Sequence, residues 1–182
     1  MKLRVRYTHE SPAESTKMTK TIKIKLYSKV KSNLNKLKID PKDKVSKDKH
    51  FSVGALIKNK DKYLVINRNL YPPGYAGIAG HVNKRETQEK ALIREVKEET
   101  NYNILSKELL FHEIIEGNEC RTGFKKHEWY LYWCKCNGKL KLLKREEKSI
   151  KYLTQKQINK IYKKGKLEPV WEYWFKKLKL IK

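Results

Sequence analysis

Alternating and continuous apolar runs along the chain predict a set of short β-strands. Residues 51–57 (FSVGALI) and 62–66 (KYLVI) form the first pair, and the polar segment KNKD between them suits a hairpin turn. Residues 104–115 contain a third strand. The aromatic run at 127–136 (HEWYLYWCKC) indicates a central strand, because aromatic side chains pack well on pleated surfaces. A last strand follows the acidic pair at 146–147.

Apolar positions at helical spacing predict three helices in the same part of the chain. The first begins near Thr87, the second runs from the capping residue Thr154 to Gly165, and the third has Pro169 in its first turn. Each has an apolar stripe that can dock on a sheet. The stripes of the first and third helices are formed by Ala91, Leu92, Val96, Val170, Trp174 and Leu178.

The first 50 residues differ from the rest in being richest in lysine. Ile22, Ile24 and Leu26 alternate with lysines, which predicts a strand, and the apolar spacing at 30–37 predicts a helix. The segment at 40–50 (DPKDKVSKDKH) is interpreted as a solvated linker. We therefore expect a basic extension at 1–50 that packs on a main domain at 51–182; the alternative function for the extension is a basic arm that binds nucleic acid.

Composition narrows the classes of protein that fit. The 182 residues carry 44 Lys and Arg against 20 Asp and Glu, a net charge of +24, which attracts polyanions such as nucleotides, RNA 5′ ends and phosphorylated inositols. A compositional bias toward lysine explains the charge equally well. The sequence has no long apolar run and no signal-peptide pattern, so we expect a soluble, cytoplasmic protein without membrane association.

The three cysteines support the same location. Cys120, Cys134 and Cys136 are odd in number and lack a zinc-binding spacing, which fits a reducing compartment. Cys134 and Cys136 alternate along the aromatic strand and therefore share one of its faces. We interpret these two cysteines as packing residues.

Carboxylates are concentrated in residues 80–102, which read GHVNKRETQEKALIREVKEETNY. Glu95, Glu98 and Glu99 project from one stripe of the predicted helix, where three negative charges repel one another. Hard divalent cations take oxygen ligands, and Mg²⁺ is commonly held by carboxylates together with phosphate oxygens. A solvated acidic helix face is the ordinary alternative, but six specified residues at fixed spacing disfavour it.

The same stretch resembles the Nudix signature: Gly, five residues, Glu, seven residues, Arg-Glu, an aliphatic residue, any residue, Glu-Glu, any residue, Gly, aliphatic. The chain matches it at Gly80, Glu86, Arg94, Glu95, Val96, Glu98, Glu99 and Tyr102. Asn101 stands where the family has glycine. Because asparagine is second to glycine in adopting a left-handed conformation after a helix, we expect Asn101 to end the helix in the same way.

The resemblance implies an α/β fold, the Nudix-type α/β/α sandwich around a mixed β-sheet. It also implies that the carbonyl of Gly80 joins a metal sphere with Glu98 and Glu99, and that Glu95 binds metal or activates water. Arg94 and Glu86 would position this cluster. The cofactor implied is Mg²⁺ or Mn²⁺.

Many members of that family take a further carboxylate from a later loop as general base. Glu146 and Glu147 are the candidates here, because they precede a predicted strand at about the place where such members have it. Glu116 and Glu119 compete with them. The sequence leaves the choice open.

The resemblance implies hydrolysis of a diphosphate linkage in a nucleoside diphosphate joined to another moiety. The partner would be a phosphorylated small molecule, and the oligomeric state is undetermined. The basic surface and the aromatic strand motivate one alternative, an RNA 5′-end pyrophosphohydrolase or decapping enzyme, with a base stacked on one of its rings. A nucleic-acid-binding module on an inactive Nudix fold is the alternative of another class, and the complete set of glutamates speaks against it.

Overall fold

The computed structural model describes residues 42–46, 48–69, 71–120, 122–141 and 147–182, and for Glu147 the backbone alone. These residues form eight strands and three α-helices. The strands are β1 (Val45–Ser46), β2 (Lys49–Asn59), β3 (Lys62–Arg68), β4 (Gly74–Ala76), β5 (Ile78–His81), β6 (Asn103–Glu116), β7 (Lys126–Asn137) and β8 (Glu147–Thr154). The helices are α1 (Gln88–Thr100), α2 (Gln155–Lys163) and α3 (Pro169–Lys177).

Strand β2 organises the sheet because its 11 residues pair with several neighbours. It runs parallel to β7 on one side and antiparallel to β5 on the other, and its last two residues pair with β3. Strand β7 also pairs with β6, and β3 also pairs with β4 and β8, all in antiparallel orientation. One parallel pairing among antiparallel ones makes the sheet mixed, which confirms the predicted fold class.

Helices α1 and α3 cover opposite faces of this sheet. Val53 pairs with Gly80 of β5, and a methyl group on Gly80 would point into the carboxyl group of Glu95 on α1. Successive side chains on a strand alternate between faces. Gly54 follows Val53 on β2 and therefore faces the other way. A methyl group on Gly54 would lie 3.4 Å from the ring of Trp171 on α3. The arrangement is helix, sheet, helix.

The core fills the space between these layers. Val96 of α1 and Trp171 and Trp174 of α3 are fully buried, as are Val53 and Leu131 in the sheet. Burying a large apolar side chain stabilises the fold by roughly 1.5–3 kcal/mol. The predicted apolar stripes of α1 and α3 therefore attach both helices to the sheet.

The ends of α1 form as the sequence predicts. The Thr87 side chain accepts a hydrogen bond from the backbone N–H of Lys90, which caps the first turn. At the other end Asn101 adopts the left-handed conformation, with φ 63°, and its N–H donates to the carbonyl of Lys97. The substitution of asparagine for glycine at this position thus preserves the helix end.

The segment at 42–50 is not the solvated linker that its composition indicates. Val45 and Ser46 pair with the start of β2, Asp43 forms a bridge with Asn83, and both Asp43 and His50 are buried. Composition is misleading here because the polar side chains meet partners that are distant in sequence. The strand and helix predicted at 22–37 lie outside the described residues, and the division at residue 50 stays a prediction.

Candidate active site

A cleft of about 190 Å³ lies beside β5, the short strand that precedes α1. The loop after β3, the start of α3, the loop between β6 and β7, and α1 all contribute to its lining. Its lining residues are Ser52, Arg68, Tyr71, Pro72, Ala79, Gly80, His81, Glu95, Glu99, Asn118, Cys120, His127, Trp129, Glu168 and Val170. Two groups of side chains in and beside this cleft carry its chemistry.

The first group, which we call the acidic wall, consists of Gly80, Glu86, Arg94, Glu95 and Glu99. Arg94 connects Glu86 to Glu95. Its Nε and Nη2 each donate to one carboxylate oxygen of Glu86 at 2.9 Å, its Nη1 donates to Glu95, and Nη2 also donates to the carbonyl of His81 at 2.8 Å. Such forked pairing is the strongest geometry for an arginine and a carboxylate. Arg94 and Glu86 therefore hold α1 against the end of β5.

The pKa values of this pair follow from the contacts. Burial would raise the pKa of Glu86, but the hydrogen bonds from Arg94 and from the backbone N–H of Asn83 lower it below its usual value. Burial would likewise lower the pKa of Arg94, and the same bonds to Glu86 together with the charge of Glu95 raise it. Both groups stay charged throughout the physiological range.

Glycine at position 80 allows β5 to approach the carboxylates. Any Cβ at this position would overlap the carboxyl group of Glu95. Ala79, which precedes Gly80 in β5, donates its backbone N–H to Glu99 at 3.3 Å. Glu95 and Glu99 are each only 5% exposed, and both line the cleft. Two carboxylates and a strand backbone thus meet within one small volume.

Glu98 has a different environment from its neighbours on the same stripe. Its side chain is 46% exposed, and its carboxylate lies 3.6 Å from Nη1 of Arg94. The structure therefore brings Glu95 and Glu99 to the cleft with Gly80, while Glu98 lies at the more exposed side of the cluster. All the donors here are oxygen atoms, and the missing side chain of Gly80 leaves its backbone accessible, so the set suits a hard divalent cation.

The candidate bases are more scattered. Glu146 lies outside the described residues, and the backbone of Glu147 pairs with Arg68 at the start of β8. The carboxylate of Glu116 lies 3.3 Å from Lys126, and that of Glu119 lies 3.8 Å from Lys125. In this loop the cleft is lined by Asn118 and Cys120, which are neighbours of those glutamates.

Glu168 is a cleft residue that the sequence did not single out. It is 1% exposed and caps α3, accepting a hydrogen bond from the backbone N–H of Trp171 at 2.9 Å. Burial raises the pKa of Glu168 to about 7, although its backbone hydrogen bonds and the charge of Arg68 oppose the rise. The acid before Pro169 is recognisable as a cap, but the sequence gives no sign that it faces a cleft.

The second group, which we call the nitrogen–sulfur wall, consists of His50, His81, Cys120 and His127. One ligand atom from each of these residues lies within 4.8 Å of all the others. His50 Nδ1 is 3.4 Å from His81 Nε2 and 3.8 Å from the sulfur of Cys120. The sequence shows no zinc-binding spacing around Cys120, and its interpretation as packing covered Cys134 and Cys136 alone, yet the fold places Cys120 beside three histidines. Its neighbours come from three separate strands, so no local spacing reveals them.

Strand register builds this wall. His50 and His127 are directly paired on the parallel strands β2 and β7, and His81 of β5 is paired with Ser52 on the other side. Residues 50 and 52 share a face because side chains alternate along a strand. The three rings therefore lie side by side. His81 also points away from the face of its neighbour Gly80, so the two walls lie on opposite faces of β5.

Electrostatics couple the members of the nitrogen–sulfur wall. Burial would raise the pKa of the Cys120 thiol, but hydrogen bonds from the three histidines and from Thr122 lower it to about 2. Burial would lower the pKa of His81, whereas Asp43, whose carboxylate is 2.9 Å from Nδ1, and Cys120 raise it to about 9. Cys134 lies in the core and Cys136 packs against it, and burial raises the pKa of Cys134 to about 12 and that of Cys136 to about 11.

Comparison with known proteins identifies the family. The family model of the NUDIX domain matches residues 48–175, and the chain therefore belongs to the NUDIX domain family. This result confirms the resemblance and the assignment as a Nudix hydrolase at the level of family and fold. A comparison with curated proteins gives no significant match.

Two solved structures share the fold. A NUDIX hydrolase from Nitrosomonas europaea has a TM-score of 0.58 at 19% identity, covering 68% of this chain and 84% of its own. A MutT NUDIX hydrolase from Burkholderia pseudomallei has a TM-score of 0.54 at 18% identity, covering 60% and 85%. A Nudix hydrolase family member from Chromobacterium violaceum is 29% identical, with a TM-score of 0.46, over 60% of this chain and 66% of its own.

Within the part of the chain that the structure describes, every helix is too short or too polar to cross a bilayer.

Proposed function

We propose that this protein is a Mg²⁺- or Mn²⁺-dependent hydrolase that cleaves a diphosphate linkage in a nucleoside diphosphate joined to another moiety. The observation that carries the proposal is the meeting of Glu95, Glu99 and the backbone of Gly80 in one cleft. The carbonyl of Gly80 and the carboxylates of Glu95, Glu98 and Glu99 would hold the cation. When bound, such a cation neutralises phosphate charge and lowers the pKa of water.

The residues of the chain supply orientation and proton transfer. Glu86 holds Arg94 through the bidentate contact, and Arg94 donates to Glu95, so the Glu95 carboxylate needs no reorganisation during the reaction. Arg68 lies in the cleft and suits a phosphate group. Tyr71, which lines the same cleft and is 55% exposed, offers a ring on which a nucleobase can stack.

The general base belongs to the same proposal. Glu146 and Glu147 remain candidates by resemblance. Glu168 joins them because it lies in the cleft and its pKa of about 7 matches the operating pH of a base. The cytoplasmic location is also proposed, on the basis of the three cysteines, all of which are free thiols.

Hydrolysis at an RNA 5′ end is the second candidate function, and the net charge of +24 favours it. The two substrates differ in how binding responds to salt. RNA affinity that disappears near physiological ionic strength would argue for the small-molecule substrate, since a backbone contact with many phosphates gives a steep salt dependence.

The decisive experiment measures product release from a panel of phosphorylated compounds with and without Mg²⁺. The panel contains ADP-ribose, dinucleoside polyphosphates, nucleoside triphosphates, diphosphoinositol phosphates and capped RNA. Glu98→Gln should lower turnover by about a thousandfold, the equivalent of several kcal/mol, because a cation ligand is lost. The melting temperature should hardly change, because Glu98 is half exposed.

Glu89→Gln is the matched control. Glu89 lies on the same helix with its side chain 61% exposed, and its contact is an ion pair with Lys107. The Glu89→Gln variant should retain full turnover. Activity that survives in Glu98→Gln, or hydrolysis that is independent of divalent cations, would refute the proposal.

A further inference from the structure

We infer that the nitrogen–sulfur wall is a second metal site, which binds Zn²⁺ or a similar transition metal through His50, His81, Cys120 and His127. This site goes beyond the proposed hydrolase function, because its donors differ in kind from the oxygen atoms of the acidic wall. Three imidazoles and one thiolate form a Cys-His₃ set, and four protein ligands of these types are typical of tetrahedral zinc.

Two of the distances between ligand atoms agree with that geometry, and all four ligand atoms lie within 4.8 Å of one another. With metal–nitrogen and metal–sulfur bonds of about 2.0–2.1 Å and 2.3 Å, the edges of a tetrahedron are about 3.3 Å between two nitrogens and about 3.6 Å between nitrogen and sulfur. His50 Nδ1 and His81 Nε2 are 3.4 Å apart, and His50 Nδ1 and Cys120 Sγ are 3.8 Å apart. These side chains can therefore enclose one ion with small rotations.

Partners behind two of the three histidines, His81 and His127, support the assignment. Ligating histidines characteristically pass their second ring N–H to a carboxylate or carbonyl. His81 directs Nε2 at the cluster and contacts the carboxylate of Asp43 through Nδ1 at 2.9 Å. The two ring nitrogens of His127 lie 3.1 Å from Ser52 Oγ and 3.3 Å from the carbonyl of Phe124. The free nitrogen of His127 therefore keeps a partner whichever nitrogen coordinates.

Charge balance explains why a cation belongs here. Metal uptake requires a thiolate and neutral imidazoles, so it releases the protons that these four side chains carry. A divalent ion then balances the Cys120 thiolate and the Asp43 carboxylate, both of which are in or directly behind the wall. Soft and borderline metals prefer thiolate and imidazole, whereas Mg²⁺ prefers the carboxylates. The two walls can therefore load different metals from the same solution.

The site has a structural consequence for the cleft. Four protein ligands leave no open position for water or substrate, which is the arrangement of structural zinc sites. The ion would attach Cys120, in the loop between β6 and β7, to the strands β2, β5 and β7. It would thereby fix the wall of the cleft that faces away from α1.

Metal analysis of the purified full chain tests the inference. After incubation with ZnCl₂ in the presence of excess Mg²⁺ and removal of unbound ions by desalting, the wild type should retain about one zinc per chain. Cys120→Ser and His127→Gln should retain far less, and Asp43→Asn should bind zinc about 10–100-fold more weakly, as expected for a residue behind a ligand. Co²⁺ added to the metal-free wild type should give the sulfur-to-metal charge-transfer band and the intense visible bands of a tetrahedral thiolate complex.

Three controls separate this site from its surroundings. Cys136→Ser and His112→Gln change the same residue types outside the cluster and should bind zinc normally. Glu98→Gln should also retain zinc, so a failure of the proposed hydrolase function leaves this test intact. If the wild type holds no more zinc than Cys120→Ser, or if the Co²⁺ spectrum shows no thiolate band, the inference is wrong. If circular dichroism shows that Cys120→Ser is unfolded, the inference is tested by the Co²⁺ spectrum of the wild type and by the zinc affinity of Asp43→Asn.

Discussion

The two walls of the cleft contrast in how they are assembled. Apart from Gly80, the acidic wall comes from residues 86–99, with helix α1 supplying most of its groups and Arg94 joining Glu86 to Glu95. The nitrogen–sulfur wall comes from β2, β5, the loop before β7, and β7 itself, over residues 50–127. One wall is a product of helical periodicity. The other exists only when three strands pair in the correct register.

This difference teaches which perturbations each wall tolerates. A helix holds its side-chain spacing wherever it is docked, so the acidic wall depends mainly on the contact between α1 and β5. The nitrogen–sulfur wall depends on the pairings of β2 with β5 and β7, because a slip of one residue turns a side chain to the other face. Four substitutions test the acidic wall, the end of its helix and the buried acid of the same cleft, in order of decreasing expected effect.

Gly80→Ala tests the contact of α1 with β5. The new methyl group would overlap the carboxyl group of Glu95, so the helix or the strand must shift. Misplacing reacting groups by about 1 Å reduces turnover by about a hundredfold, and we expect at least that loss in a steady-state assay. Gly138→Ala is the control: its φ of 120° makes it unfavourable for the fold, but it is outside the cleft lining. Similar turnover in both variants would contradict the role of Gly80.

Arg94→Lys tests the connection within the acidic wall. A lysine cannot reproduce the forked contact with Glu86 while also reaching Glu95 and the carbonyl of His81. We expect turnover to fall about tenfold and the free energy of unfolding to fall by about 1–3 kcal/mol, because buried acceptors lose their donor. Arg85→Lys, at an exposed neighbouring position, should change neither quantity in kinetic and urea-unfolding measurements. Equal behaviour of the two variants would remove Arg94 from this role.

Glu168→Gln tests whether the buried carboxyl group of Glu168 makes the stability of the fold depend on pH. Because the pKa of Glu168 is raised from 4.5 to about 7, its stability contribution is complete below pH 4.5 and is lost as the pH rises through 7. Urea unfolding without metal should therefore show the glutamine variant gaining up to about 3 kcal/mol relative to the wild type between pH 4 and pH 8. A constant difference across that range would contradict the raised pKa. Unchanged turnover would remove Glu168 from the candidate bases.

Asn101→Gly tests the single departure from the signature. Glycine adopts φ of 63° more easily, but the variant loses the hydrogen bond from Asn101 Nδ2 to the carbonyl of Lys139 at 3.2 Å. We expect the free energy of unfolding to change by less than about 1 kcal/mol and turnover to stay the same. Valine resists this backbone conformation, so Asn101→Val should lower the free energy of unfolding by about 1–3 kcal/mol. A large loss of activity in the glycine variant would show that Asn101 does more than end the helix.

Local signals determined much of the fold in advance. The strands at 51–57, 62–66 and 127–136, and the boundaries of α1 at Thr87 and Asn101, follow from period, capping and backbone preference, which act between residues close in sequence. The environment of residues 42–50 did not follow. Asp43 and His50 are polar residues whose buried partners come from other parts of the chain.

The sequence by itself determined the acidic stripe of α1, its caps and the glycine before it, because a helix converts spacing directly into position. Only the tertiary structure decided that Glu95 and Glu99 face the cleft while Glu98 is half exposed, and that Glu168 enters the same cleft. It also decided the convergence of His50, His81, Cys120 and His127. The physical reason is that strand pairing joins residues at any separation along the chain, and no local pattern of side chains records which residues will meet.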